Sequence, residues 1–240
     1  MIIVRRDKEI YAAEGGWFSA RWHFSFDAYR DPDNMGWGTL RVFNDDRLIP
    51  GAIWPLHPHR DIEGLTYVVE GTFKHDDDLG NNGVLPAGSV QRMTLGSGAW
   101  HSEQNGSATE PMRFIQMWIM PAQRGLEPEV EQKIFTKEQR TDRLLEVIGP
   151  KGGDAVLVHQ DARVYVSSLS EGTQVEHPFR PGFGAYLYVI AGSIRLNDDE
   201  LNTGDAAKVG QEPTIAVRAL APAELILVEV QLEAAGSEGT

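Results

Sequence analysis

Short apolar runs separated by turn residues dominate the pattern of the chain. The clearest runs are LTYVVEG (65–71), MRFIQMWIM (112–120), ARVYVSSL (162–169), AYLYVIAG (185–192), TIAVRAL (214–220) and ELILVEVQL (224–232). Runs of this length, rich in Val, Ile, Tyr and Phe, are typical of β-strands. Turn sequences such as LGNNG, LPAG and GSG separate the strands of the first half. The pattern therefore predicts an all-β protein of sandwiches or barrels.

One stretch departs from this pattern. Residues 127–149, EPEVEQKIFTKEQRTDRLLEVIG, are charged and lack the alternation of a strand. We predict a short helix in its first half. A linker over 126–148 would then join a first domain, 1–125, to a second domain, 149–233. The small and polar end, 234–240, is expected to fray.

The two halves of the chain share a repeat. HPHRDIEGLTYVVEG begins at His57, and HPFRPGFGAYLYVIAG begins at His177. Both open with His-Pro-x-Arg, continue into an apolar run and reach a glycine, Gly71 or Gly192. Further on, LPAGSV in the first half resembles LNTGDA in the second. We interpret this as a duplicated β unit.

Composition excludes several classes of chemistry. The 240 residues include no cysteine, so disulfides, thiolate nucleophiles and cysteine-ligated metal sites are excluded. The net charge of −13 argues against nucleic-acid binding, which needs Lys and Arg. No apolar run approaches the roughly 20 residues that span a bilayer, and the start MIIVRRDKEI lacks the order of a secretory signal. We therefore expect no membrane association, and a cytoplasmic location fits.

Two pairs of polar residues carry the candidate chemistry. His57 and His59 are two positions apart, so on a strand both point to the same face. His101 and Glu103 repeat this spacing in GSGAWHSEQN. If the two strands face each other inside a barrel, three imidazoles and one carboxylate converge. Such a set suits iron, nickel, copper, zinc or manganese and leaves coordination positions open.

The other histidines lack partners at such spacing. We expect them to be hydrogen-bonded or exposed rather than metal ligands; they are His23, His75, His159 and His177.

Longer motifs resemble a known family. Four features together resemble the two cupin motifs: His57-x-His59-xxx-Glu63, Gly71, Pro86-x-Gly88 and His101-xxx-Asn105. More narrowly, HFSFDAYRDPDNMGWGTLRVFNDDRLIPG, HPHRDIEGLTYVVEG and GSVQRMTLGSGAWHSEQN resemble the pirin family. RGLEPEVEQKIF is similar to bacterial members with quercetin 2,3-dioxygenase activity, and the second half resembles their C-terminal cupin domain.

The resemblance implies a bicupin, with two jelly-roll β-barrels in one chain and one divalent metal in the first. Its ligand pattern matches His57, His59, His101 and Glu103. Iron is the leading candidate for the metal, with nickel, copper, manganese, zinc or cobalt as alternatives. In general cupins the residue at the Glu63 position is the ligand. Here strand parity lets Glu63 point inward and orient a ligand side chain, whereas a bulge after Arg60 would turn it outward.

The second half keeps one histidine of the repeat. Phe179 stands where the first half has His59, and no residue matches Glu63. One imidazole does not hold a metal. We therefore expect the second barrel to lack metal ligands and to be structural.

The resemblance further implies a dioxygenase that binds a flavonol such as quercetin and adds O2. Glu103 would take the proton of the substrate hydroxyl. Strand parity offers Met93, Phe114, Gln116 and Trp118 as pocket walls, although a role in the core is favoured for them. Pirins also include metal-dependent, redox-responsive partners of transcription regulators, so a regulator without turnover is the alternative. The partners expected are an aromatic small molecule and O2, and the pattern does not predict an oligomeric state.

Overall fold

The protein is described here as a computed structural model that covers residues 1–232 in detail. The predicted frayed end at 234–240 lies outside the described residues. Within 1–232 the chain forms 22 strands, one 3₁₀ turn at Asp7–Glu9 and one α-helix, α1, at Lys137–Arg140. No helix in this part of the chain has the length and apolar character needed to cross a membrane.

Strands before and after the helix divide the chain into two halves. The first twelve are β1 (Ile2–Arg5), β2 (Tyr11–Glu14), β3 (Phe18–Trp22), β4 (Leu40–Leu48), β5 (Ile53–His59), β6 (Glu63–Glu70), β7 (Thr72–Asp77), β8 (Asn82–Pro86), β9 (Ser89–Thr94), β10 (Ala99–Asn105), β11 (Met112–Ile119) and β12 (Glu129–Ile134). The other ten are β13 (Leu145–Gly149), β14 (Val156–Leu157), β15 (Arg163–Leu169), β16 (Gln174–Pro178), β17 (Phe183–Ala191), β18 (Ser193–Leu196), β19 (Asp199–Asn202), β20 (Ala206–Val209), β21 (Thr214–Ala219) and β22 (Ala223–Gln231).

Each half is a double layer of one seven-stranded and one four-stranded sheet. The first half has the orders β12-β9-β6-β11-β4-β3-β2 and β5-β10-β7-β8. The second half has β1-β20-β17-β22-β15-β13-β14 and β16-β21-β18-β19. The two His-Pro-x-Arg sequences lie at equivalent places, at the ends of β5 and β16. The shared layout supports the duplicated unit inferred from the repeat.

The charged stretch between the halves differs from our prediction. Residues 129–134 form β12, which pairs with β9 at the edge of the first large sheet, so the helix expected in the first half of the stretch is wrong. Its charged side chains suit an edge strand, where one side of the ladder meets water. The helix follows instead as α1, and the Thr136 hydroxyl accepts a hydrogen bond from the backbone N–H of Gln139. At the other end of the chain, β1 pairs with β20 and so belongs to the second half.

The two large sheets pack against each other through one apolar cluster. Phe43, Leu65 and Ile115 of the first half meet side chains such as Val166 and Ile226 of the second, and all five are fully buried. Burial of apolar surface is the main favourable term in such packing. The alternate residues of the same strands point away from this interface, into the interior of each half.

A buried ion pair of the first half extends into a hydrogen-bond network that crosses the same interface. Arg113 Nη2 lies 2.7 Å from Asp45 Oδ2 and donates to the carbonyl oxygen of Ile190 at 3.2 Å. The Tyr188 hydroxyl donates to Asp45 at 2.5 Å. Because Ile190 and Tyr188 belong to β17, this network ties the first half to the second.

Candidate metal centre

Three histidines meet on the inner face of the sheet that contains β5 and β10. These strands are hydrogen-bonded neighbours, and His57 lies directly opposite His101. The ring centroids of His57 lie 4.5 Å from His101 and 4.8 Å from His59. One ring nitrogen from each histidine lies within 4.8 Å of the others. The two strands therefore lie side by side in one sheet, rather than facing each other as we expected, and still bring the imidazoles together.

The three imidazoles can act as metal ligands, and those of His59 and His101 are uncharged at neutral pH. The pKa of His101 is lowered to about 2, mainly by burial and to a smaller extent by His57, His59 and His75. The pKa of His59 is lowered to about 4, mainly by burial and to a smaller extent by His57. His57 Nδ1 lies 2.7 Å from the carbonyl oxygen of Pro55, which only accepts, so Nδ1 carries the proton and Nε2 is free. Both ring nitrogens of His101 are buried without a hydrogen-bond partner among residues 1–232. This donor set fits a divalent transition metal.

Glu103 lies beside the three imidazoles. It pairs with His75 of β7, is 3% exposed, and its Oε1 accepts a hydrogen bond from Gln116 Nε2 at 2.5 Å. Burial raises the pKa of Glu103 to about 8, and the hydrogen bond from Gln116 opposes this shift. The cluster of mutually close ligand atoms consists of the three histidines, within the described residues. The role of Glu103 as fourth ligand therefore stays a prediction.

A bulge shapes the wall next to the histidines. From His101 to Glu103 the strand β10 advances by two residues, whereas its partner β5 advances from His57 to Trp54, by three. The extra residue reverses the alternation on β5, and Trp54 lines the cavity. Pro55, which has no N–H for the ladder, lies within this irregular stretch. Parity alone does not reveal Trp54 as a wall.

A narrow cavity of about 70 Å³ opens beside the imidazoles. Its lining side chains are Phe26, Asn44, Asp46, Trp54, His57, His59, Glu103, Gln116 and Trp118. Two of the four predicted walls, Gln116 and Trp118, lie here. The other two, Met93 and Phe114, pack in apolar clusters instead.

Two polar residues of this cavity were missed in the sequence. Asn44 and Asp46 are two positions apart on β4, so they share the inward face while Asp45 points to the other half. Burial, followed by the nearby Glu103 and Asp45, raises the pKa of Asp46 well above its ordinary value. The signal was available, since the four consecutive polar residues Asn44–Arg47 interrupt the strand VFNDDRL, and alternation places Asn44 and Asp46 on one face.

Glu63 does not point to the imidazoles. The chain turns at Asp61, whose φ is 54°, and β6 then begins at Glu63. Glu63 is fully buried; it accepts hydrogen bonds from the Thr94 hydroxyl at 3.2 Å and from the backbone N–H of His159 at 3.4 Å. The expectation that Glu63 orients a metal ligand is therefore wrong. Its side chain is turned away from the imidazoles, as in the alternative that we considered. Burial raises its pKa, although His159 and Arg92 act in the opposite direction.

The remaining histidines have partners of their own, as expected. His159 contacts Glu63, with Nδ1 3.5 Å from Oε2. The other three distances are 2.7 Å from His23 Nδ1 to the Tyr186 hydroxyl, 3.1 Å from His75 Nε2 to Asp77 Oδ2, and 2.6 Å from His177 Nε2 to Glu229 Oε2. In the second half, Phe179 packs on the ring of His177 with centroids 5.0 Å apart.

Two stacked β layers in each half, with a three-histidine cluster in the first, define a two-domain cupin protein with a candidate metal centre. The Pirin family profile matches residues 4–119, and the profile of the quercetinase C-terminal cupin domain matches residues 147–230. The chain belongs to the pirin family, and the predicted bicupin fold is confirmed.

Relatives agree along nearly the whole chain. A quercetin 2,3-dioxygenase of Escherichia coli is 38% identical over 232 residues, which cover 96% of this chain and 99% of the relative. A pirin-like protein of Caulobacter vibrioides is 40% identical over 219 residues, covering 90% and 94%. The crystal structure of a bacterial pirin from Escherichia coli in complex with nickel(II) superposes with a TM-score of 0.91 at 36% identity, covering 97% of this chain and 100% of that chain.

Proposed function

We propose that this chain is a metal-dependent dioxygenase that binds a flavonol-like aromatic substrate through its hydroxyl and carbonyl oxygens and adds O2 to open the ring. The observation that carries the proposal is the convergence of three imidazoles beside a buried carboxylate in a cavity with aromatic walls. The activity named for the Escherichia coli relative supports the same reaction.

The chain's residues have separate roles in this proposal. His57, His59 and His101 hold the metal, and Glu103 completes the ligand set. The metal, when bound, supplies Lewis-acid and redox activation for the reaction with O2. A carboxylate oxygen of Glu103 takes the proton of the substrate hydroxyl. In metal-free protein burial raises the pKa of this carboxyl to about 8, and a metal bound beside it would hold the carboxylate ionised and able to accept that proton.

Side chains around the metal centre orient the base and exclude water. Gln116 donates to Glu103 and limits its rotation. Trp54, Trp118 and Phe26 present apolar faces to the cavity, and the ring of Phe26 contacts Trp118 with centroids 5.4 Å apart. A dry, low-dielectric site strengthens the electrostatic interactions of a bound substrate.

The dimensions indicate how a flavonol would enter. The inner cavity is about 70 Å³, well below the approximately 150 Å³ that takes up a benzene molecule. His59 also borders an outer depression of about 600 Å³, which Arg60 and Trp100 line. We infer that the body of the substrate rests in the depression and only its oxygen-bearing edge enters the cavity.

A second candidate function is a metal-dependent, redox-responsive regulator that binds a protein partner without turnover. It is favoured by the apolar side chains exposed on the outer face of the same sheet, Leu56 and Trp100, at 56% and 46% exposure. Exposed apolar residues beside a functional site often mark a protein contact.

Metal content tests the ligand assignment. Purified protein is expected to hold about one transition metal per chain by elemental analysis, and His57→Ala or His101→Ala to lose it because a ligand is removed. His177→Ala is the matched control, since His177 occupies the equivalent place in the second half. Full metal content in both of the first two variants would contradict the site.

Turnover separates the two functions. Quercetin is added in air to protein loaded with iron, nickel, copper or manganese, and its flavonol absorbance is followed. The dioxygenase predicts a loss of absorbance above that of metal-free protein. Metal-loaded protein that never exceeds this control would favour the regulator.

A further inference from the structure

Two buried polar side chains in the inner cavity lack hydrogen-bond partners. Asn44 is 2% exposed and Asp46 is 3% exposed, and both line the cavity beside His57 and His59. Oδ1 of each receives no hydrogen bond from any group in residues 1–232. Most buried polar atoms in proteins are paired, so an unpaired couple at one place calls for an explanation.

Two neighbouring carboxylates have partners, in contrast to these two acceptors. Glu103, in the same cavity, accepts from Gln116, and Asp45, between the two residues in sequence, is paired with Arg113 and the Tyr188 hydroxyl. Only the two inward-facing residues of this part of β4 are left with unmet acceptors among the described residues.

We infer that Asn44 and Asp46 form an acceptor subsite for a free hydroxyl of the substrate, next to the oxygen pair that binds the metal. This inference rests on the proposed function and deepens it. It assigns the substrate to polyhydroxylated aromatics with a hydroxyl donor flanking the metal-binding oxygens. A methyl ether at that position offers no donor and leaves both acceptors unmet.

The size of the cavity supports a substituent as the occupant. A space of about 70 Å³ does not admit a fused ring system, but it holds a hydroxyl and the ring edge that bears it. Because the acceptors are buried, a donor that reaches them discriminates strongly against analogues that lack it.

Small phenols test the subsite without turnover. Catechol has two adjacent hydroxyls for the metal, pyrogallol adds a third beside them, and 3-methoxycatechol replaces that third hydroxyl by an ether. Each is titrated by calorimetry into metal-loaded protein under oxygen-free conditions. Pyrogallol should bind about tenfold more tightly than catechol, more than its two equivalent oxygen pairs would give, and 3-methoxycatechol no more tightly than catechol.

The double variant Asn44→Leu/Asp46→Leu removes both acceptors at similar side-chain size. In this variant pyrogallol should bind more tightly than catechol only by the factor that its two equivalent oxygen pairs give, while the metal content stays that of the wild type. The metal-free variant should also melt about 2 °C or more above the wild type, because unpartnered buried polar groups are gone. A purely structural role predicts a lower midpoint instead.

Two further variants complete the test. Ser167→Ala removes another buried hydroxyl without a partner in residues 1–232, far from the cavity in β15, and should keep the wild-type preference for pyrogallol. Asn44→Leu alone removes one of the two acceptors if the double variant does not fold, and should reduce the preference.

The outcomes separate this inference from the function beneath it. Equal binding of catechol and pyrogallol to wild-type protein, or a preference that survives in the double variant, would overturn the subsite alone. Failure of the metal-loaded wild type to bind either phenol would count against the dioxygenase and the subsite together.

Discussion

Replacing Glu103 by Gln tests the electrostatics of the metal centre in metal-free protein. The carboxyl is 3% exposed, and burial raises its pKa to about 8 from 4.5. Because the folded-state pKa lies above the unfolded value, the contribution of the neutral carboxyl to stability is complete below pH 4.5 and is lost as the pH rises through about 8. The two values set an upper limit of about 5 kcal/mol for this loss. A glutamine does not titrate and should lose none of it.

The assay is urea denaturation of metal-stripped wild type and Glu103→Gln from about pH 5 to about pH 9. The difference between the two free energies of unfolding isolates Glu103, since all other groups titrate in both proteins. As the pH rises through this range, we expect the free energy of unfolding of the variant to increase by a few kcal/mol relative to that of the wild type. Glu138→Gln, at a fully exposed site, is the control and should follow the wild type. Parallel curves for wild type and Glu103→Gln would refute the reasoning.

Three further changes test the rest of the structure. Arg113→Met leaves Asp45 buried and unpaired and should lower the free energy of unfolding by about 3–5 kcal/mol, whereas adding Asp45→Asn should restore part of it, as measured by urea denaturation. Phe73→Ala opens a cavity in the apolar cluster that packs against Trp54 and should lower the free energy of unfolding by about 3–5 kcal/mol while leaving metal content unchanged by elemental analysis. The pKa of Glu229 lies below its ordinary value, because hydrogen bonds from partners such as His177 outweigh the opposite effect of burial. The contribution of Glu229 to stability is therefore present above pH 4.5 and is lost as the pH falls. Acid unfolding of Glu229→Gln should accordingly show a weaker pH dependence than that of the wild type.

The periodicity of apolar residues predicted much of the fold, because it reflects which faces of the strands are buried. Strands such as β6, β11, β17 and β22 are apolar on faces that become buried, and the predicted runs coincide with them. The charged strand β12 was mistaken for part of a helical linker because an edge strand needs little apolar surface.

The candidate site followed from spacing only where strands are regular. His57 and His59 share a face by alternation, and the pairing of β5 with β10 brings them to His101. Trp54 escaped because a bulge reverses the alternation, and Glu63 was misplaced because the turn at Asp61 does the same. Both irregularities depend on backbone geometry that residue spacing does not encode.

The two halves solve the same electrostatic problem in different ways. Glu229 is a buried carboxylate of the second half, and it is hydrogen-bonded to His177, to Arg180 at 3.0 Å and to Arg163 at 3.2 Å. The hydrogen bonds from His177 and Arg180 keep its pKa low despite burial. Glu103, equally buried in the first half, is hydrogen-bonded within residues 1–232 to the neutral amide of Gln116, and burial raises its pKa to about 8.

The contrast indicates what the first half is built to hold. A carboxylate in such surroundings stays ionised at neutral pH when a cation lies close to it. The three imidazoles can hold a divalent metal, which would supply that charge. Glu103 on β10 and Glu229 on β22 do not occupy equivalent places in the two halves. Each half therefore balances a buried carboxylate of its own: arginines do so for Glu229, and a metal is expected to do so for Glu103.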